Sequence, residues 1–522
     1  MSERFQHIVI GGGHNGLVCA TLLARRGRKV LLLESADQVG GAAITREFAP
    51  GFQVSAGAHL LHALPAELTR ELQLERHGLR LSARSLPTVS LNPDGAPLVF
   101  DAVTAGAPGE RLSAPDQRAL MEFRRQMARF ARVFDLVQST VPFRLGMEGS
   151  RDRINALKIA LRIRLLGKRD MRELLRIAGM NAYDLLEDVF TSEALKGALG
   201  FDATLGAEHG PRSPGTVLTL LARWTGLSRD GNHGVAQVAG GMGQLTQSMA
   251  RAATAAGVQV RTGARVERVL VENDRASGVR LQSGETIAGD SVISNADPKT
   301  TFLKLVGAEY LDTDFVRRVD HYRAKGNVAK LHLALDSLPE FRGVEAIRAG
   351  GRMLVSPSLE ALETAFNPSK YRQLPDAPVL EITIPTVHDA SLAPPGKHVA
   401  SILVNFVPYD PQIGLAEARA QLQRTVLEVL ERHAPGIGKR VHASELLLPQ
   451  DIEREFGMAG GHWHHGALSF DQFFVTRPVP GATQYATPLP GLYLCGAGAH
   501  PGGGVSGLPG RNAALRILEQ GA

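Results

Sequence analysis

Gly11, Gly13 and Gly16 stand between two short apolar runs, and that arrangement constrains the fold more than any other part of the chain. An apolar strand is expected over residues 7–10, a helix over 17–26 ending at the turn glycine Gly27, and a second strand over 29–33 that stops at Glu34. The glycines meet the G-x-G-x-x-G requirement: a tight turn, a backbone approach to a pyrophosphate with no side chain in the way, and close packing of helix on strand. The helix N-terminus then faces the phosphates. Glu34, eighteen residues beyond Gly16, is placed to accept hydrogen bonds from an adenosine ribose.

At 522 residues the chain suits two or three domains, and 44% apolar with 21% charged residues describes a globular protein with a large core. No apolar run approaches the ~18 residues of a membrane span, and the N-terminus enters a strand at once, so the chain is expected to be cytoplasmic. Its two cysteines, Cys19 and Cys495, lie far apart inside apolar elements, and without a C-x-x-C a dithiol reaction is not expected. His462, His464 and His465 cluster without a Cys or acid at ligand spacing, so no metal is expected. Residues 144–176 hold ten Lys/Arg against four Asp/Glu, an excess equal to the net +6 of the whole chain. The remainder is balanced, which argues against a nucleic-acid-binding surface.

Two further glycine-rich segments echo the first. Gly240, Gly241 and Gly243 precede a helical stretch to Ala256, then a strand over 258–261, alternating runs over 265–271 and 276–282 with a turn at Asn273 and Asp274, and a return strand over 291–294. At the C-terminus a strand over 491–495 runs into a loop from Gly496 to Gly504 with five glycines, then a helix over 505–518. Strand, glycine loop and helix again place N–H groups where a pyrophosphate, ribityl chain or electron-rich ring edge can be held. Between these segments, residues 100–235 read as mainly helical. Ser113 and Asp116 have the form of a capping box, and Leu120, Phe123, Met127, Phe130, Phe134 and Val137 recur at helical spacing. Residues 300–480 carry strands over 329–335, 379–384 and 398–406 and a helix over 415–433, as in a mixed or antiparallel sheet.

Together, the N-terminal unit, the doublet Gly40-Gly41, the re-entry at Gly240 and the run from Cys495 to Gly504 resemble the phytoene dehydrogenase (carotenoid desaturase) group of the glutathione-reductase-type flavoproteins. The stretch from His464 to Gln472, followed by Arg477, resembles the branch of pyridine nucleotide-disulfide oxidoreductase domain-containing protein 2. The resemblance spans essentially the whole chain. It implies an α/β fold with a discontinuous, Rossmann-like FAD domain over 1–99, 236–299 and 481–522, a helical cover over 100–235 and a substrate sheet over 300–480. It further implies that Gly11, Gly13, Asn15 and Gly16 meet the pyrophosphate of FAD and that Glu34 and Ser35 meet the ribose. Gly40, Gly41, Ala42 and Ala43 would meet the flavin-side phosphate and ribityl, Val266 the adenine, and Gly496, Gly503, Gly504, Val505 and Ser506 the ribityl and isoalloxazine. One departure is Ala497, where many relatives carry Asp.

The implied activity is that of an FAD-dependent oxidoreductase working on C–C bonds of a hydrophobic, isoprenoid or lipid-like substrate, with hydride transfer to flavin N5. With one nucleotide unit and no C-x-x-C, the acceptor is expected to be oxygen, a quinone or another species, not a bound nicotinamide. Candidate acid–base residues are His59, His465, Asp471 and His500, each histidine being equally readable as a hydrogen-bonded packing residue. Arg477 reads as a partner of either a substrate carboxylate or an internal acid. The basic amphipathic stretch over 159–175 reads as a contact with an anionic membrane surface or as a solvated face. A flavin amine oxidase and a non-catalytic FAD-binding scaffold are the competing functions, and a homodimer is left open.

Overall fold

The computed structural model describes residues 4–100, 112–147, 149–228 and 234–521. Strand Phe5–Ile10 lies between Val30–Leu33 and Thr286–Ser294, parallel to both, and Gln259–Arg261 and Leu492–Leu494 extend this parallel layer outward. Its three central strands meet in a buried apolar core, where Ile8, Val9, Leu31, Leu32, Val292 and Ile293 are all inaccessible. Such near-continuous apolar runs need helices on both faces. Helix His14–Ala24 packs against Leu508–Glu519 and Met242–Ala255, so three segments distant in sequence complete one dinucleotide-binding layer. An antiparallel extension, Val266–Glu272 with Arg275–Leu281, turns through Asn273 and Asp274, both in the left-handed conformation of a tight hairpin.

A second sheet runs in the order 441–447, 328–335, 398–405, 380–383, 352–355, 88–90, 98–100 and is antiparallel except where Arg352–Val355 pairs with Thr88–Ser90. The strands Thr88–Ser90 and Leu98–Phe100 therefore join the second sheet, although the sequence assigns 88–99 to the FAD domain. Conversely, Phe302, Phe315, Val319 and Tyr322 bury themselves in the core of the first layer. Strand periodicity reports which face is buried and is silent about which sheet buries it.

Helix Ala114–Ser139 starts where expected: Ser113 Oγ accepts from the N–H of Asp116 at 3.2 Å. The Asp116 carboxylate reaches out of the box to Thr191, accepting its N–H at 2.8 Å and its hydroxyl at 2.7 Å. Leu120, Phe123, Met127, Phe130 and Phe134 are buried in the helical layer's core, and Val137 is buried as well. The basic stretch forms two helices, Ser150–Arg164 and Gly167–Ile177, broken at Gly167, whose φ is +83°. No described helix is long and apolar enough to cross a membrane.

Candidate active site

A cavity of about 860 Å³ lies between the dinucleotide layer and the second sheet, with the helical layer closing a third side. Its volume falls in the range of small-molecule and cofactor sites. One wall is made by the N-terminal glycine turn. Gly11 adopts φ +94°, and a Cβ on Gly16 would lie 2.2 Å from the Gly11 carbonyl oxygen, so only glycine lets the helix sit this close to the strand. A Cβ on Gly13 would approach Asn295 Nδ2 to 2.9 Å, and that amide donates to the Gly11 carbonyl at 3.2 Å. The Gly40-Gly41 doublet is fastened to this turn by the Gly40 N–H, which donates to Gly12 O at 2.9 Å.

The residues fit an adenine dinucleotide. No side chain caps the helix that begins at His14, while Gly13, His14 and Asn15 line the cavity and Asn15 Oδ1 is buried without a hydrogen-bond partner. Glu34, buried at the end of the second strand, accepts from Gly12 N–H at 2.7 Å and Ala36 N–H at 2.9 Å, which fixes its carboxylate at the cavity edge. Ser35, Ala42, Ala43 and Val266 line the same cavity, as do Gly503, Gly504, Val505 and Ser506 from the C-terminal loop. His14 Nε2 lies 3.2 Å from the Gly504 carbonyl and ties the two glycine loops together; burial and the neighbouring His465 push its pKa down to about 4. Gly496 does not line the cavity: a Cβ there would lie 2.5 Å from Asn295 O, so its smallness serves strand packing. Gly16 acts likewise on Gly11. Ala497 does line the cavity, and its carbonyl accepts from Arg477 at 2.9 Å.

The opposite wall is built from charge. Lys330 sits in strand Val328–Leu335 and Glu381 in Leu380–Thr383, each a buried charge in a mainly apolar run; Asp202 and Arg223 come from helices Glu193–Thr204 and Thr216–Ser228. Lys330 Nζ donates to His59 Nδ1 at 2.6 Å, and His59 Nε2 donates to Glu381 Oε1 at 2.8 Å. Burial and the Lys330 ammonium push His59 down to about 4, which keeps the ring neutral and fits this chain of donors. Burial also pushes Lys330 down to about 7, against the pull of Glu381. Burial raises Glu381, but the Arg352 guanidinium and the His59 hydrogen bond outweigh it and hold the carboxyl well below its usual range. Arg352 spans both acids, with Nε 2.5 Å from Glu381 and Nη2 2.6 Å from Asp202.

Of the sequence candidates for acid–base work, His59 and His465 line the cavity, whereas Asp471 and His500 do not. Asp471 is an exposed surface residue paired with Arg323 at 2.6 Å. His500 is fully buried, with Nε2 donating to the Val137 carbonyl at 2.8 Å and its ring packed on Phe473 and Phe474. Arg477 does not line the cavity and pairs with no acid among the described residues. It is fully buried and donates to the carbonyls of Ala467, Gln472, His464 and Ala497, bracing two loops. Cys19 and Cys495 meet in the core, where burial and the mutual contact push the Cys495 thiol up; neither lines the cavity. Sequence reasoning missed His62, Asp202, Arg223, Lys330 and Glu381, although a lone charge inside an apolar strand, as at Lys330 and Glu381, is a usable signal.

A dinucleotide layer facing a second sheet across an apolar and charged chamber defines a flavin-dependent oxidoreductase. The chain belongs to the flavin containing amine oxidoreductase family, which it matches over residues 16–518. It is 34% identical to pyridine nucleotide-disulfide oxidoreductase domain-containing protein 2 of Rattus norvegicus, over 98% of this chain and 93% of that one. It is 30% identical to the hydroxyneurosporene desaturase of Cereibacter sphaeroides, over 98% and 97%. Among solved structures, a putrescine oxidase superimposes with a TM-score of 0.58 at 16% identity, covering 99% of both chains. The cofactor is FAD.

Proposed function

We propose that this oxidoreductase dehydrogenates, or in reverse saturates or isomerises, a C–C bond of a hydrophobic isoprenoid- or lipid-like molecule. The observation that carries this reading is the apolar lining between the two walls, formed by Leu60, Leu205, Leu218, Leu403, Leu468 and Phe473. FAD supplies the hydride acceptor when bound. The chain's own side chains hold the substrate's apolar body away from water, and Lys330, His59 and Glu381 hold a proton at Nζ of Lys330 on the cavity wall. An amine substrate is less well served. Both acids of the wall, Asp202 and Glu381, are already bound to Arg352, and a cationic amine would meet Arg223 and Lys330. Anaerobic mixing of the holoprotein with a panel of isoprenoids and of primary and polyamines, read as bleaching of the flavin absorbance, tests this. Bleaching by isoprenoids alone is expected; bleaching by amines alone would overturn it.

We also propose that the basic helix pair rests on an anionic lipid surface from which such a substrate is drawn. Helix Ser150–Arg164 turns Asp152 and Asn155 inward, toward Gln484 and the Val141 carbonyl, while Ile154, Leu157 and Leu161 point to solvent at 50%, 67% and 54% exposure. An exposed apolar stripe flanked by Lys158, Arg162, Arg164 and Arg169 is the pattern of an interfacial helix. Co-sedimentation with anionic vesicles is expected, and charge reversal of Arg162, Arg164 and Arg169 is expected to abolish it. Equal recovery on neutral vesicles would sink the idea.

A further inference from the structure

Lys330 and Glu381 stand in one row of the second sheet with Leu403 between them: Leu403 is the register partner of both, and Leu447 is that of Lys330 on its other side. Neighbouring strands are spaced by about 4.8 Å, so the two charged residues lie about 10 Å apart at the backbone, across an apolar side chain. His59 spans that gap. Its neutral ring takes an N–H from Lys330 at 2.6 Å and donates to Glu381 at 2.8 Å, while Arg352 Nε lies 2.5 Å from the other Glu381 oxygen. Lys330 thus contacts no carboxylate among the described residues. An amine held by an imidazole instead of an acid gives up and regains its proton without breaking an ion pair.

The charged and titratable groups around Lys330 are His59 and Glu381 across the row, His332 two residues along its own strand, and Arg223 and Arg352, which close on Glu381 from beyond. Burial holds His332 neutral. Of the rest, Glu381 favours the ammonium and burial outweighs it, so the amine titrates near pH 7. Lys330, His59, Leu60 and Leu403 all line the cavity, which places this amine beside the apolar part of the chamber. The histidines on the same walls are weaker bases: His14, His62, His464 and His465 are all pushed below the usual range, chiefly by burial.

We propose that Lys330 is the proton-transfer residue of the reaction, with His59 and Glu381 as its positioning residues. This rests on the C–C dehydrogenation reading above and adds the fate of the proton. One C–H bond of the substrate breaks with its electron pair, which leaves as hydride for flavin N5. The C–H bond on the neighbouring carbon gives its proton to the lone pair of neutral Nζ, and its electron pair becomes the C=C π bond. The substrate is oxidised and the flavin reduced by two electrons, and an ammonium is left at Lys330. In the reverse direction that ammonium supplies the proton for saturation.

The first test needs neither variant nor substrate. The holoprotein is treated with potassium cyanate, which carbamylates unprotonated amines, across a pH series, and Lys330 is followed by peptide mass spectrometry. Its labelling rate is expected to level off above about pH 7, while that of exposed lysines keeps rising. Labelling that follows the exposed lysines, or none at all, overturns the proposal. Glu381→Gln and His59→Phe, which remove support for the ammonium, are expected to lower the pH at which labelling levels off; an unshifted profile overturns their positioning role. The second test follows anaerobic flavin bleaching by the isoprenoid panel above, with farnesol and squalene among its probes. Lys330→Met and Lys330→Arg, the latter charged but unable to release its proton, are expected to slow bleaching at least a hundredfold, with FAD content and reduction by dithionite unchanged. Wild-type rates in Lys330→Arg overturn proton transfer at Lys330 and leave the substrate reading standing. Bleaching by amines alone overturns that reading, whatever Lys330 does.

Discussion

Across one cavity, the turn at Gly11 and Gly13 offers backbone and open Cβ positions, whereas the facing strands and helices offer Lys330, Glu381, Asp202 and Arg223. The first wall is made by what is missing. Its specificity is steric, and its one prominent charge, Glu34, is held by backbone N–H groups of neighbouring turns. The second wall is made by side chains that would be costly to bury singly and are tolerable only as a set. Under the proposed function the two walls have different tasks: the first accepts a fixed cofactor, and the second faces the substrate with charge.

The most damaging way to break the comparison is at Gly16. Valine there must push the helix off the strand, because even a Cβ would lie 2.2 Å from Gly11 O. Gly16→Val is expected to retain less than a tenth of its FAD, measured as flavin per protein after purification. Gly13→Ala should be milder, since its Cβ meets only the movable Asn295 side chain, at 2.9 Å. Equal FAD content in the two variants would show that the cradle does not depend on helix–strand contact.

On the second wall, Arg352→Met leaves Asp202 and Glu381 buried without their shared partner. Removing one member of such a set costs about 3–5 kcal/mol. A large fall in Tm is expected, with FAD stoichiometry unchanged in the protein that remains folded. A small fall with lost FAD would invert the assignment of the two walls.

A third effect touches both walls. His14 beside the glycine loops, His59 in the charged wall and His7 in the first strand are each held near a pKa of about 4, chiefly by burial, against 6.5 for the free side chain. As the pH falls from 6.5, the unfolded chain takes up these protons first, so stability is full above 6.5 and is lost down to about pH 4. Each histidine contributes on the order of 1–3 kcal/mol to that loss. Denaturant midpoints measured between pH 7 and 4 should fall steadily, and His14→Gln should flatten the profile. A profile flat over that window would show that the rings are not buried neutral.

The two walls were also unequally legible. Gly11 to Ala43 form one contiguous run whose spacing carries its own geometry, and the Gly240 and Gly503 segments extend it through the same chemistry of turns. His59, Asp202, Arg223, Lys330, Arg352 and Glu381 are scattered over more than half the chain and meet only because two sheets and a helical layer converge. No local pattern encodes that meeting. Asp471 and His500 stood out because they lie near the C-terminal glycine loop in sequence, and Arg477 because it stands beside two prolines, yet one faces solvent and two serve packing. The basic helix pair was readable because its exposed stripe obeys helical spacing within one element.

Asp471 gives the smallest and sharpest test of that last distinction. It forms an ion pair with Arg323 at 2.6 Å, as tight as the Arg352 contact to Asp202, yet its side chain is 62% exposed. Water already solvates both partners at the surface, so an exposed pair of good geometry is worth about 1 kcal/mol at most, and added salt screens it further. Asp471→Asn should therefore change stability by less than about 1 kcal/mol, leave flavin content and flavin reduction unaltered, and lose what effect it has in high salt. Equal distances with unequal consequences would show that burial, not contact length, makes the second wall matter. A variant that folds normally but no longer reduces its flavin would return Asp471 to the site and break the division between the cavity walls and the surface.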